Sequence, residues 1–322
     1  MRAWRLESLN SQPVLGHQEK PVPAKGEALV KVAAVGLNFA DLLMTEGKYQ
    51  VRPALPFIPG MEFSGVVEGL GPGTSGPAPG TRVLGVCATG ACADWLCLSV
   101  DRLMSLPDNV PDIEAAGFPI AYGTSHLALT HKAALKPGET LFVTGAAGGV
   151  GLTAVEIGKS LGARVIAMAR GADRLTVAKA AGADVLIDSE APGLKDRLRA
   201  EGGVDVVYDA VGGPAFDAAL RACKPDGRLL TIGFASGEVP QVPANLLLVK
   251  NLSVIGFWYG AYQDLAPQRV TDSLAQLLRW WADGALRPLV SHILPFEALP
   301  EGLELLRSRR STGKVVIRVQ QQ

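Results

Sequence analysis

Two rhythms of apolar and polar positions divide the chain. From Lys20 to about Pro119, short apolar, β-rich runs such as Ala28-Leu29-Val30-Lys31-Val32 and Gly65-Val66-Val67-Glu68 are broken by Gly and Pro. The densest break is Gly71-Pro72-Gly73-Thr74-Ser75-Gly76-Pro77-Ala78-Pro79-Gly80, and the pattern predicts a compact, irregular β domain. After Lys136-Pro137-Gly138-Glu139 strands and helices alternate. Strands are predicted over 141–144, 164–169, 185–187, 204–208, 229–232 and 252–255, with helices such as 174–181 and 215–222 between them. Such alternation forces parallel pairing through crossover helices, so a doubly wound sheet of six strands is expected. Beyond Tyr262 a helix carrying Leu274, Leu277, Leu278 and Trp281 at helical spacing leads to Pro295 and a last strand over 315–319. Trp280-Trp281 reads as packing rather than a ligand box, and the terminal Gln320-Gln321-Gln322 is expected to fray.

The first strand of the alternating region runs into Gly145-Ala146-Ala147-Gly148-Gly149-Val150-Gly151. A strand, a glycine turn and a helix make a site for a dinucleotide pyrophosphate, because glycines admit the backbone and the helix N-terminus offers free N–H groups. Ala146 stands where the first glycine of the usual fingerprint would be, but the repeats that follow have suitable lengths. Ala147, Gly148, Gly149, Val150 and Gly151 are therefore candidate cofactor contacts. An NAD site usually places Asp or Glu at the end of the second strand; here the chain reads Met168-Ala169-Arg170. Arg170 and Arg174 are positioned to hold a 2′-phosphate by charge-assisted hydrogen bonds, which predicts NADPH over NADH. Thr231-Ile232-Gly233-Phe234-Ala235, after a parallel strand, falls where backbone groups meet the nicotinamide end, making Gly233 and Phe234 candidates.

The 322 residues leave room for two domains, and 48% hydrophobic with 19% charged residues suits a globular chain. Thirty-one basic and thirty-one acidic residues cancel without a charged run. This argues against nucleic acid or an anionic membrane and for a small-molecule partner. The N-terminus lacks an apolar signal core and no long apolar segment occurs, so a cytoplasmic protein is the expectation. Cys87, Cys92, Cys97 and Cys223 lack metal-ligand spacing and read as reduced, mostly buried thiols. His17, His126, His131 and His292 are scattered and read as satisfied or solvated.

Together with Leu135-Lys136-Pro137-Gly138-Glu139-Thr140, the glycine turn resembles the medium-chain dehydrogenase/reductases, specifically the zinc-independent, zeta-crystallin-like NADPH:quinone oxidoreductase branch. The similarity extends through Gly36-Leu37-Asn38-Phe39-Ala40-Asp41, Gly47-Lys48-Tyr49, Leu55-Pro56-Phe57-Ile58-Pro59-Gly60-Met61-Glu62, Ala121-Tyr122-Gly123-Thr124, Asp209-Ala210-Val211-Gly212-Gly213 and Gly313-Lys314-Val315-Val316. The resemblance implies an α/β protein with a GroES-like β-rich catalytic domain (1–120 and 263–322) and an inserted Rossmann NADPH-binding domain (121–262). It also implies a homodimer, formed near 252–257, and cofactor contacts from Thr124 and Lys314.

In zinc-dependent members the matching positions include a Cys and a His; here they are Asn38 and Met61, neither a plausible zinc ligand. No metal is therefore expected. Without a zinc ion to stabilise an alkoxide, the site suits acceptors that already take hydride. The expected activity is reduction of quinones or other activated α,β-unsaturated carbonyls. Tyr49 is the candidate proton donor, Asn38 a candidate to hold the ribose or substrate carbonyl, and Asp41 a residue that orients its loop. For these three the plainer reading is loop caps and packing. Phe257-Trp258-Tyr259 lines the acceptor pocket or packs. An enoyl-thioester reductase and a non-catalytic, crystallin-like or RNA-binding NADPH protein are the alternatives.

Overall fold

Long apolar stretches with β-branched residues form the strands, and the glycines and prolines between them form the turns. The computed structural model describes residues 1–320; the expectation for Gln321 and Gln322 lies outside the described residues. The chain divides into two units, one of Met1–Ile120, Leu274–Gly284 and the chain from Pro288 onward, the other of Ala121–Ser273 and Ala285–Arg287. The return to the first unit falls within helix Pro267–Ala282. One continuous amphipathic helix carries the chain across, so no turn marks the change.

The first unit is built on a sheet ordered Val290–Pro295, Lys314–Arg318, Glu27–Leu37, Glu62–Leu70, Arg82–Val86 and Leu103–Ser105, with Trp95–Ser99 also paired to Glu27–Leu37. All pairs are antiparallel except Val290–Pro295 with Lys314–Arg318, which are joined through helix Leu299–Arg307. Its core gathers Val30, Val32, Val35, Leu37, Phe63, Val67, Val83, Phe296, Leu299, Val315 and Ile317. The eleven-residue strand Glu27–Leu37 is central. Its register sets Gly36 opposite Glu62 on one side and Leu37 opposite Val315 on the other.

The second unit holds six parallel strands ordered Val185–Asp188, Arg164–Ala169, Thr140–Thr144, Val204–Asp209, Cys223–Thr231 and Ser253–Gly256. In sequence terms this is 3-2-1-4-5-6, the doubly wound dinucleotide-binding order. Phe142, Ile166, Val207, Phe216, Leu220 and Leu229 pack its core. The fifth strand begins six residues before the expected 229, at Cys223. Lys224-Pro225-Asp226-Gly227 reads as a turn, and Asp226 does take a positive φ of 61°, but Cys223 pairs with Val204 ahead of a bulge in the ladder.

Candidate functional site

Strand Thr140–Thr144 is buried along its whole length and ends in Gly145, whose φ of +60° requires glycine. The turn folds back on itself: Gly148 N–H donates to Gly145 O at 2.9 Å, and Gly148 is the N-cap of helix Gly149–Ser160. A Cβ on Gly151 would stand 2.1 Å from Gly145 O, so glycine there is what lets the helix lie against the strand end. A Cβ on Gly148 would meet only Gly145 O, at 3.3 Å, and otherwise faces open space. The first helical turn carries no acidic residue. Its N–H groups lack partners within the helix and with the macrodipole favour an anion. Ala146 fits in place of glycine because its N–H is pinned to Met168 O at 2.9 Å and its side chain is fully buried. Ala147 is also buried, which leaves its backbone for contacts.

Buried hydroxyls brace this turn from beneath. Ser125 Oγ lies 3.0 Å from Val150 O, 2.7 Å from Thr153 Oγ1 and 2.9 Å from Tyr208 Oη, next to the candidate Thr124, itself buried. Gly123 is seated against Tyr259, where a Cβ would meet the phenol oxygen at 2.5 Å. Tyr259 and Phe257 thus belong to the interior of this unit, while Trp258 is partly exposed.

A second support joins the ends of the first and fourth strands. Thr144 Oγ1 donates to Asp209 Oδ1 at 2.6 Å and accepts from Ala210 N–H at 3.1 Å. The Asp209 carboxylate also accepts from Val211 and Gly212 N–H at 3.0–3.2 Å. Burial raises the Asp209 pKa against these hydrogen bonds. The candidate segment Gly233-Phe234 is strapped over this turn: Ile232 and Gly233 N–H donate to Asp209 O at 2.8 and 3.4 Å, and Ala235 N–H to Ala210 O at 3.1 Å. The glycine turn, the 209–212 turn and the 232–235 strap therefore gather at the C-terminal ends of adjacent strands, where doubly wound sheets bind their ligands.

Arg170 is exposed directly after strand Arg164–Ala169, and Arg174 lies in the first turn of helix Ala172–Ala180. Asp188, which no local pattern singles out, ends the third strand opposite Ala169 and accepts from Gly171 N–H at 3.3 Å. A carboxylate therefore borders the arginine pair from the neighbouring strand.

In the first unit the candidates Asn38 and Lys314 meet in a buried ion cluster. The Lys314 ammonium donates to Leu37 O, Asn38 Oδ1 and Glu62 Oε1, each at 2.7 Å. Asn38 Nδ2 donates to Glu62 Oε1 at 2.8 Å, and Glu62 Oε2 accepts from Ile120 N–H at 2.8 Å. Strand register produces this meeting, since Glu62 and Lys314 flank the end of Glu27–Leu37 on opposite sides. Gly36 and Gly117 give it room: a Cβ on Gly36 would stand 2.7 Å from Glu62 Oε1, and one on Gly117 3.2 Å from the Lys314 stem. The amide of Asn38 and the ammonium of Lys314 are engaged with each other and with Glu62.

Asp41 is the third residue of helix Phe39–Thr45, and its Oδ2 accepts from Asn38 N–H at 2.8 Å, capping the helix. Its Oδ1 is buried without a hydrogen-bond partner. Burial drives the carboxyl up to about 7, against the pull of the Asn38 N–H and of Lys314. The helix closes with Gly47 N–H on Met44 O and Lys48 N–H on Leu43 O, at 3.1 and 2.8 Å, leading straight into Tyr49. Half-buried Tyr49 packs with Ile120 and Val51 against Leu6, Met44, Phe57 and Met61.

Glu62, Asp209, Thr144, Ser125 and Tyr208 were not singled out as functional from the sequence. The available signal was Glu62 and Asp209, charged residues inside apolar runs. Among the described residues no three His, Cys, Asp or Glu side chains come together to hold a metal ion. All four cysteines are free and three are buried. His126 is buried against Ser273 Oγ at 2.8 Å, and desolvation lowers it to about 4. Among the described residues no helix is long and apolar enough to cross a membrane.

Comparison with known proteins agrees with this architecture. Residues 24–117 match the family model for the alcohol dehydrogenase GroES-like domain and 149–278 that for the zinc-binding dehydrogenase domain. A quinone oxidoreductase-like protein 2 homolog from Nematostella vectensis is 39% identical over 304 residues, spanning 92% of this chain and 83% of that protein. The quinone oxidoreductase of Thermus thermophilus, solved alone and with NADPH, superposes with a TM-score of 0.88 at 34% identity over 99% of this chain and 100% of its own. The Escherichia coli quinone oxidoreductase, solved with NADPH, gives 0.91 at 27% identity over 99% and 100%. The chain belongs to the medium-chain dehydrogenase/reductase superfamily, in its quinone oxidoreductase-like branch.

Proposed function

We propose that this protein is a zinc-independent, NADPH-dependent reductase of quinones or other activated α,β-unsaturated carbonyls. The observation that carries the reading is the Lys314 ammonium bonded to Asn38. At a position matching a zinc ligand of zinc-dependent members stands a neutral amide already bound to a fixed internal cation. A second cation beside it would be repelled, and neither Asn38 nor Met61 has the donor chemistry zinc favours. The relatives solved with NADPH and named quinone oxidoreductases support the same activity.

The second unit has the features a dinucleotide needs. Backbone N–H groups of Gly148, Gly149, Val150 and Gly151 would hold the pyrophosphate, with Ala147 contributing only through its backbone. Arg170 and Arg174 would hold the 2′-phosphate, offsetting the nearby Asp188. Thr124, Gly233 and Phe234 would meet the nicotinamide end. When bound, NADPH supplies the hydride. Reduction of a quinone to a hydroquinone takes up one hydride and one proton, and the Tyr49 phenol donates that proton to the developing oxyanion and is reprotonated from water. Asp41 keeps helix Phe39–Thr45, which leads to Tyr49, capped rather than touching substrate. The edge strand Ser253–Gly256, flanked by exposed Leu248 and Val249, is the surface through which we infer a homodimer.

Following NADPH absorbance with 1,4-benzoquinone, 9,10-phenanthrenequinone, a simple enone and crotonyl-CoA tests the reading. Turnover of the quinones or the enone is expected. Turnover of crotonyl-CoA alone would move the assignment to enoyl thioesters, and turnover of none would favour a non-catalytic nucleotide-binding role.

A further inference from the structure

We propose that Lys314 is a positioning residue: its buried ammonium acts as a fixed internal cation that holds the Leu37-Asn38 turn, and through it helix Phe39–Thr45 and the Tyr49 segment that follows it, in the working geometry. The proposal deepens the reductase reading and rests on it for its kinetic part.

An ammonium has three N–H donors, and all three are met at 2.7 Å by one backbone carbonyl, one amide oxygen and one carboxylate. None is left for a ligand. The acceptors come from two places distant in sequence, the end of strand Glu27–Leu37 and the start of Glu62–Leu70. Lys314 itself begins the last strand. The cation thus ties three strands at the point where the chain leaves the sheet for helix Phe39–Thr45. Asn38 is held from both ends of its amide and by its N–H on Asp41. Only about two turns of capped helix separate that clamp from the Gly47–Tyr49 segment, so a shift at Asn38 is carried to the phenol. Burial makes the arrangement all-or-none: Glu62 is fully buried, and without the ammonium it becomes an uncompensated charge.

This predicts different behaviour from a cofactor contact or a purely structural ion pair. Four proteins separate the cases: wild type, Lys314→Met, Glu62→Gln and the double variant. Lys314→Met is expected to lose thermal stability. Adding Glu62→Gln is expected to recover most of that loss, because no buried carboxylate is then left unpaired. The double variant should still show kcat for 1,4-benzoquinone reduced by about tenfold or more, with NADPH affinity, read by nucleotide fluorescence, within about twofold of wild type. Recovery of kcat together with stability would overturn the proposal, leaving Lys314 only to balance Glu62. A large loss of NADPH affinity at unchanged kcat would overturn it too, by making Lys314 a cofactor contact.

Hydrogen exchange provides a readout independent of turnover. Peptides covering 37–49 should exchange faster in the double variant than in wild type, with the second unit unchanged. If wild type reduces no acceptor, the reductase reading fails while this exchange result still decides the clamp, and unchanged exchange over 37–49 removes it. If Lys314→Met does not fold, the double variant carries the comparison.

Discussion

Asp41 shows how one buried side chain is shaped by competing terms. Desolvation raises its carboxyl to about 7, while the Asn38 N–H and Lys314 pull it down. In the unfolded chain it ionises near 3.8, so between 3.8 and about 7 the folded state binds more protons than the unfolded. Stability conferred by the protonated carboxyl is therefore lost as pH rises through that window and levels off above it, at up to about 1.4 kcal/mol per pH unit. Asparagine can cap the same helix without ionising. Thermal melts of Asp41→Asn should gain on wild type between about pH 4 and about pH 7 and hold that gain above it; a difference that does not vary with pH would show that the carboxyl is already ionised throughout. For Tyr49→Phe, kcat for the quinone is expected to fall by about 10²–10³ with NADPH affinity unchanged, and wild-type rates would remove the phenol as proton donor. Arg170→Ala with Arg174→Ala should weaken NADPH by about 10² while leaving NADH binding as it was. Equal losses for both nucleotides would mean that the pair does not read the 2′-phosphate.

At the scale of elements, two glycines of the same turn perform different tasks. Gly151→Ala drives a Cβ to 2.1 Å from Gly145 O, so the helix must move off the strand, at a cost of about 3 kcal/mol in stability by chemical denaturation. Gly148→Ala meets no such obstacle, with ordinary backbone geometry at φ −83°. It should leave stability within about 0.5 kcal/mol of wild type while weakening NADPH by about tenfold, because the added methyl stands where an anion approaches the N–H groups. The sheet of the second unit was legible in the sequence because parallel strands covered on both faces read as continuous apolar runs. Arg164–Ala169 emerges with its expected bounds. The early start of Cys223–Thr231 was hidden, since pairing across a bulge overrides the local turn signal of Lys224-Pro225-Asp226-Gly227. The Lys314, Glu62 and Asn38 cluster was hidden for a different reason. It depends on register between strands more than two hundred residues apart, which no local pattern encodes, so Asn38 and Lys314 stood out as motif residues without revealing that they bind each other. Asp188 is a similar case, brought beside Arg170 only by strand pairing.

For the whole molecule, the dinucleotide unit is inserted within the sequence of a β-rich unit whose last strand, Lys314–Arg318, returns to pair with Glu27–Leu37. The chain thus joins a glycine turn of the dinucleotide type to a first unit whose interior holds the Lys314–Glu62 ion pair. In the proposed reaction, hydride from NADPH reaches a quinone without a metal ion. The most direct test is the steady-state oxidation of NADPH with 1,4-benzoquinone by protein treated with a strong chelator, assayed with and without added zinc. Equal, sustained turnover in both is predicted; turnover that appears only when zinc is restored, or none in either, would contradict it.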